Sequence, residues 1–355
     1  MIFSSSDFDG HEMVVAFSNR RARLKGFIAI HSTALGPAFG GCRMWPYADE
    51  GAAVKDALRL SRGMSYKNAI AGLDYGGGKA VIMADPRGEK TPELFRAFGH
   101  AVDRLGGQYI TAEDVGVSVE DMQFVAEATT WVGGIPKGGG YRGGDPSPVT
   151  ARGVFAGIKA AARARLARDD LSGLTVAVQG LGHVGYNLAR LLSAAGARLK
   201  VADISAGNVE RAVEALGAEA ISPDDLLATE ADVLSPCALG GVLNRDTIPR
   251  IKAAVVAGAA NNQLATEGDG DRLAARGILY APDYVINAGG IISAAAERDP
   301  AATREAVFHK VDEIGDRLAE IFARSEQSGH GPHEVADEMA REIIRAADGR
   351  ASGGG

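Results

Sequence analysis

One strand-turn-helix unit limits the fold more than anything else in the chain. Leu174-Thr175-Val176-Ala177-Val178-Gln179 is a short apolar, β-branched run. It leads straight into Gly180-Leu181-Gly182-His183-Val184-Gly185, and helical spacing resumes through Leu188-Ala189-Arg190-Leu191-Leu192. A Gly-x-Gly-x-x-Gly pattern is weak by itself, but between a strand and a helix it has a mechanical meaning. Gly180 permits the tight turn, Gly182 lets a pyrophosphate approach, and Gly185 lets helix and strand pack closely, while the helix N-terminus offers amide donors. Asp203 closes the next strand, Leu199-Lys200-Val201-Ala202. A carboxylate there accepts from ribose hydroxyls and repels a 2′-phosphate, so NAD is expected rather than NADP. Leu181, His183 and Val184 join the glycines and Asp203 as candidate cofactor contacts.

Further strand candidates, Asp232-Val233-Leu234, Ala253-Ala254-Val255-Val256 and Ile278-Leu279-Tyr280, continue an α/β alternation. With 355 residues, the chain suggests two domains. Gly133 to Pro148 is dense in glycine and proline, breaks both helix and strand, and marks the junction. The expected division is 1–145 and a Rossmann domain over 146–324. Ala302 to Ala346 reads as amphipathic helix broken at Gly329-His330-Gly331-Pro332, and its 325–347 part is expected to return to the first domain.

The composition, 46% hydrophobic and 23% charged, is that of a soluble globular protein. A formal net charge of −7 and the lack of any Lys/Arg-rich block argue against nucleic-acid binding. No apolar run reaches membrane-spanning length, and the N-terminus lacks a basic and apolar leader, so a cytoplasmic location is expected. Cys42 and Cys237 offer neither a disulfide framework nor a Cys-x-x-Cys site. The histidines are scattered, and His330 and His333 do not share one helical face, so no metal is expected.

In the first half, Gly26 to His31 reads as a strand and Ala52 to Met64 as a helix. Met64-Ser65-Tyr66-Lys67-Asn68-Ala69-Ile70-Ala71-Gly72-Leu73-Asp74-Tyr75-Gly76-Gly77-Gly78-Lys79 then sets two lysines on either side of a short segment. The second follows three glycines, where backbone can approach a ligand. A phosphate-binding P-loop is excluded, because Ala80 follows Lys79 in place of Ser or Thr. Ala80 to Ala84 is a buried-strand candidate, and Thr91-Pro92 caps and starts a helix running to about Leu105. Tyr109 to Gly116 ends a strand-like run with two acids. Asp114 there reads equally as a proton carrier beside the lysines and as a helix N-terminal acid.

Several long motifs appear together and in order: the lysine segment, Ala112 to Gly116, Pro146-Ser147-Pro148-Val149-Thr150, the glycine turn, Pro236 to Gly240, Gly258 to Gln263 and Tyr280 to Gly290. Over residues from about 10 to about 345 the chain resembles the amino-acid dehydrogenases that act on glutamate, leucine, phenylalanine and valine. Gly36 to Trp45 and Asp283 to Gly290 resemble leucine dehydrogenase most closely. The resemblance implies a two-domain α/β fold, with an N-terminal substrate and oligomerisation domain and a C-terminal Rossmann NAD-binding domain facing it across a cleft. It also implies reversible oxidative deamination of an aliphatic L-amino acid to a 2-oxo acid and ammonia, in a homo-oligomer. Under the resemblance Lys67 pairs with the substrate carboxylate. Lys79, deprotonated by its cationic neighbour and by closure of the cleft, is the general base, and Asp114 exchanges a proton with the amino group. NAD takes the α-hydrogen as hydride, and Lys79 activates water against the resulting iminium ion. The same pattern assigns Asn261 to the nicotinamide side, Ser147 and Thr150 to the carboxamide, and Cys237 and Ala238 to the adenosine side. It lines the substrate pocket with Phe39, Gly40, Gly41, Ala112, Ile291 and Ala294. Leucine-active members usually carry Leu in place of Phe39 and Val in place of Ile291 and Ala294, which leaves a phenylalanine- or tryptophan-preferring enzyme as the alternative. A catalytically silent NAD-sensing protein would be expected to lack one of Lys67, Lys79 and Asp114.

Overall fold

A computed structural model of the chain describes residues 2–135, 141 and 143–352. It divides into two compact units, one of residues 1–144, 294–302 and 339–355, the other of residues 145–293 and 303–338. The glycine-rich hinge loop at 137–144 lies mostly outside the described residues.

In the first unit, β1 (Met13–Asn19) and β2 (Leu24–Ser32) form a hairpin, followed by β3 (Ala38–Phe39), β4 (Cys42–Trp45) and helix α1 (Glu50–Ile70). Strand β5 (Gly76–Met83), α2 (Pro92–Asp103), β6 (Tyr109–Ile110) and α3 (Val119–Ala126) complete it. The sheet order is β1-β2-β5-β3-β6, with β4 also paired to β5. Strands β1 and β2 run antiparallel to their neighbours, whereas β3, β4 and β6 pair in parallel. Alternation along the strands sorts the core into two layers. Ile28, Ile30, Met44 and Ile82 pack with Leu94, Phe95, Phe98 and Met122 of α2 and α3. Ala29 and Val81 pack with Ala53, Ala57 and Leu58 of α1.

Two expectations change here. Helix α1 does not stop at Met64 but runs to Ile70, so Lys67 stands in its last turn. The glycines before Lys79 are not a loop left open for a ligand, because Gly76, Gly77 and Gly78 are the first residues of β5. A Cβ on Gly77 would collide with the backbone of Ser65, and one on Gly78 would lie 2.7 Å from the Tyr109 ring. The missing side chains therefore bring α1 and Tyr109 onto the strand.

The second unit begins with α4 (Ser147–Leu166), which carries Ser147 and Thr150 in its first turn. There follow β7 (Thr175–Gln179), α5 (His183–Ala194), β8 (Arg198–Ala202), α6 (Ala206–Leu216), β9 (Glu219–Ala220), β10 (Val233–Pro236), β11 (Val255–Val256), α7 (Gly268–Ala275), β12 (Leu279–Tyr280) and α8 (Asp283–Ile286). Its sheet, ordered β12-β11-β10-β7-β8-β9, is parallel throughout. Helices α9 (Gly289–Ala296), α10 (Arg304–Ser328) and α11 (Pro332–Ser352) close the chain. Helix α10 stays with the second unit because Gly153 and Gly157 on α4 leave room for Ile314 and Leu318. Residues 294–302 and 339–355 group with the first unit, whereas 325–338, the start of the expected return, stay with the second. Among the described residues no helix is long and apolar enough to cross a membrane.

Candidate active site

The first-unit site is assembled from four separate elements. Lys79 lies on β5 in register with Ala29 of β2, so its side chain takes the α1 face of the sheet, as Val81 does. It is 5% exposed, and its Nζ is 2.7 Å from Asp114 Oδ2. Asp114 is not a helix cap, since Ser118 caps α3. It sits in a loop pinned to β4 by Cys42 N–H donating to Ala112 carbonyl at 2.8 Å and Met44 N–H donating to Val115 carbonyl at 2.9 Å. Gly41 makes this approach possible, because a Cβ there would lie 2.9 Å from Asp114 Cβ. Burial pushes the Asp114 carboxyl up, but Lys79, Arg43 and the Val115 N–H outweigh it and hold the group down at about 2. Asp114 is therefore an anion at neutral pH.

The remaining first-unit candidates are wall and backbone. Phe39 is fully buried and meets Tyr75 edge to face at 5.2 Å, and its ring lies where a Cβ on Gly133 would otherwise stand. Gly40 and Gly41 carbonyls accept from the Tyr109 hydroxyl at 2.7 and 3.2 Å, which ties this turn to β6. Ala112 is buried beside them, and Ala294 is half-buried in the 294–302 segment. Lys67 is half-buried in the last turn of α1.

Two residues of this unit escape sequence reading. Arg43 on β4 donates through Nε to the same Asp114 oxygen that Lys79 holds, at 3.3 Å. Glu297 lies against Gly143 at the end of the hinge loop, and burial, reinforced by Glu113 and opposed by the Gly144 and Gly134 backbone, pushes its carboxyl up to about 7. Nothing in the local sequence around either residue names its partner.

In the second unit the glycine turn has the geometry its spacing requires. Gly180 has φ +92°, and a Cβ on it would lie 2.8 Å from that of Ala238. Gly185 faces the Gly180 carbonyl and Cys237. Gly182 has no protein atom within 4 Å of the place a Cβ would take, and α5 begins there without a side-chain cap. Free amides at a helix start, with space before them, fit a pyrophosphate. Asp203 accepts from Leu181 N–H at 2.6 Å and Ser205 N–H at 2.8 Å, which orients the carboxylate and leaves lone pairs for a ribose.

The other candidates occupy the same unit in different ways. The Leu181 side chain is fully buried, so only its backbone is available, while His183 is exposed and Val184 half-buried. Cys237 is half-buried and Ala238 exposed. Ser147 is buried, and Thr150 is half-buried with its hydroxyl donating to the Pro146 carbonyl at 3.0 Å. Asn261 is exposed, and its Oδ1 accepts from Asn287 at 2.7 Å, so Asn287 sets its direction. Ile291 is half-buried. Ile204 and Leu239, 99% and 83% exposed, follow Asp203 and Ala238 in the chain, an apolar pair that hydropathy alone did not single out. His333 lies near Asp271 and Glu334, with ligand atoms within 4.8 Å of one another, but both acids are exposed and Glu334 accepts from Gly331 N–H at the start of α11.

Comparison with known proteins agrees with this geometry. Residues 11–131 match the family model described as Glu/Leu/Phe/Val dehydrogenase, dimerisation domain, and residues 200–348 match that of Glutamate/Leucine/Phenylalanine/Valine dehydrogenase. Leucine dehydrogenase of Bacillus subtilis is 51% identical over 334 residues, covering 94% of this chain and 91% of that one. Leucine dehydrogenase of Thermoactinomyces intermedius is 49% identical over 343 residues, covering 97% and 93%. The crystal structure of L-tryptophan dehydrogenase from Nostoc punctiforme superposes with a TM-score of 0.85 at 43% identity, covering 96% of this chain and 97% of that one. Matched by both family models and about half identical to leucine dehydrogenases over most of its length, the chain is an amino-acid dehydrogenase and belongs to the Glu/Leu/Phe/Val dehydrogenase family.

Proposed function

We propose that the enzyme catalyses the reversible, NAD-dependent oxidative deamination of a branched-chain L-amino acid, leucine, isoleucine or valine, to its 2-oxo acid and ammonia. The observation that carries the chemistry is the 2.7 Å contact between the buried Lys79 ammonium and an Asp114 carboxylate held ionised. Asp114 takes a proton from the substrate ammonium. The arrival of that ammonium also adds a cation beside Lys79, which loosens the lysine's own proton. A neutral Lys79, its ammonium proton released to solvent, then removes a proton from water as the oxygen attacks the iminium carbon; Asp114 returns its proton to the nitrogen, and ammonia leaves as the adduct hydroxyl gives its proton to the Asp114 carboxylate. Lys67 balances the substrate carboxylate. Ser147, Thr150, the glycine turn, Asp203, Cys237, Ala238 and Asn261 would hold the dinucleotide, which when bound supplies the acceptor for the α-hydrogen. Asp203 favours NAD, because its carboxylate repels a 2′-phosphate.

The pocket candidates Phe39, Gly40, Gly41, Ala112, Ile291 and Ala294 present no charge, so a substrate carboxylate on the side chain would stay unpaired at a cost of several kcal/mol. The Phe39 ring makes one wall bulkier while Ala294 opens another, so the branched-chain assignment is supported by the similarity to leucine dehydrogenases rather than by pocket volume. The dimerisation-domain match over residues 11–131 supports a homo-oligomer assembled through the first unit. NADH formation against a panel of L-amino acids tests the substrate, with the highest kcat/KM expected for leucine, isoleucine or valine. Phenylalanine or tryptophan tenfold ahead of leucine would overturn the branched-chain assignment. Lys79→Ala should lose about 10²-fold or more in kcat, and Lys67→Ala should chiefly raise KM. Near-normal turnover by folded Lys79→Ala would sink the mechanism.

A further inference from the structure

The proposed mechanism leaves one cation at its centre without a task. Arg43 lies on β4 in register with Val81 of β5, so it shares the sheet face from which Lys79 projects. Its side chain is 18% exposed. One arm, Nε, meets Asp114 Oδ2 at 3.3 Å, and the other, Nη1, meets Asp56 Oδ2 on α1 at 3.0 Å. Asp56 is itself fixed, accepting from the Tyr47 hydroxyl at 2.7 Å and from Arg59 Nη2 at 2.9 Å. A guanidinium held at both ends in this way is a fixed charge.

Asp114 Oδ2 thus bridges two cations, Lys79 and Arg43. We propose that Arg43 is a positioning residue for the deamination: it fixes the Asp114 carboxylate against Lys79 and, as a permanent cation on the same oxygen, makes the lysine's proton easier to give up. The inference rests on the assignment of Lys79 as base. If Asp114 alone faced Lys79, the ion pair would keep the ammonium charged and unreactive. Arg43 takes up part of that negative charge and adds repulsion of its own.

The other ionisable groups around the pair do not duplicate this. Asp56 and Arg59 on α1 and Tyr47 after β4 engage Arg43 or one another. Cys42 and Tyr109 are pushed up by burial and stay neutral. Asp121 on α3 binds Lys90 at 2.5 Å. Lys67 lies about three helical turns along α1 from Asp56, and Glu113 precedes Asp114 in the chain.

The test is the pH dependence of kcat/KM for the wild-type enzyme, Arg43→Gln, Arg43→Lys and Asp56→Asn, each with its thermal midpoint recorded. Arg43→Gln should move the midpoint of the rising limb about one unit toward alkaline pH and lower kcat about tenfold or more, with Arg43→Lys between it and wild type. Asp56→Asn, which removes the outer counter-charge and keeps the guanidinium, should move the midpoint the opposite way. A purely structural arginine would lower thermal stability and leave every midpoint in place. Superimposable profiles for Arg43→Lys, Asp56→Asn and wild type would overturn the proposal, whether or not Arg43→Gln folds. Lys79→Ala separates the two readings: if it retains turnover, the base assignment fails, whereas if it is inactive and the midpoints do not move, only the role of Arg43 fails.

Discussion

Acid should unfold this enzyme through His31 before it titrates the Asp114 carboxylate. His31 lies near the end of β2, with Nδ1 2.8 Å from Ser65 Oγ and Nε2 3.8 Å from Asp9 Oδ2, and its ring meets that of His11 edge-on at 4.8 Å. Burial first, then His11 and Arg62, lower its pKa from 6.5 to about 4, against the pull of Asp9. The folded state therefore binds the proton less readily than the unfolded chain does. Its stability is complete above pH 6.5 and is lost as the pH falls from there toward 4. A gap of this size corresponds to about 3 kcal/mol once both states are saturated, of which about 2 kcal/mol is already lost at pH 5. His11, lowered mainly by burial, adds in the same direction. Urea midpoints measured between pH 7.5 and 4.5 for wild type and His31→Gln should show a steep acid slope in the first and a shallower one in the second. Equal slopes would refute the reasoning, because glutamine keeps a polar group in place but cannot take up a proton. Ser65 shares its helix with Lys67, so substrate KM should rise over the same interval before global unfolding.

Two further substitutions address the cofactor and the pocket. Asp203→Ser should lower the ratio of kcat/KM for NAD over NADP by removing both the repulsion and an oriented acceptor, and an unchanged ratio would mean that another residue reads the ribose. Phe39→Ala should cost about 3–5 kcal/mol of stability, as expected for emptying a fully buried site, and move kcat/KM toward phenylalanine. Loss of stability with no change in substrate ranking would make Phe39 a core residue alone.

The two candidate sites, one in each unit, were unequally legible in the sequence, and the reason is contact order. In the second unit the determinants are local: the turn at 180–185 and the acid at 203 lie on consecutive strands, and each glycine's duty follows from the strand-turn-helix geometry itself. The strand and helix periodicities there, and the Thr91 cap on α2, could be read for the same reason. Spacing misled where tertiary packing decides. A triple glycine before a lysine suggests a ligand loop, but at 76–78 the missing Cβ atoms make room for Ser65 and Tyr109 inside a buried strand.

The first-unit site is non-local by construction, since Arg43, Asp56, Lys79 and Asp114 come from β4, α1, β5 and the loop after β6. Each of these residues has an ordinary solvated alternative when seen alone, and only the parallel register of β4 on β5 sets Arg43 and Lys79 on one face. That register also explains how the sheet can carry them. A buried lysine costs several kcal/mol unless its charge is matched, and one carboxylate between two cations would be left short of negative charge. Asp56 supplies the second anion, so the charges run from buried Lys79 through half-buried Asp114, Arg43 and Asp56 with alternating sign, and the Tyr47 hydroxyl and Arg59 complete the end on α1. Because the row balances as a unit, changing the charge at its far end, Asp56, should be felt by the proton on Lys79, even though Asp56 meets the row only through Arg43.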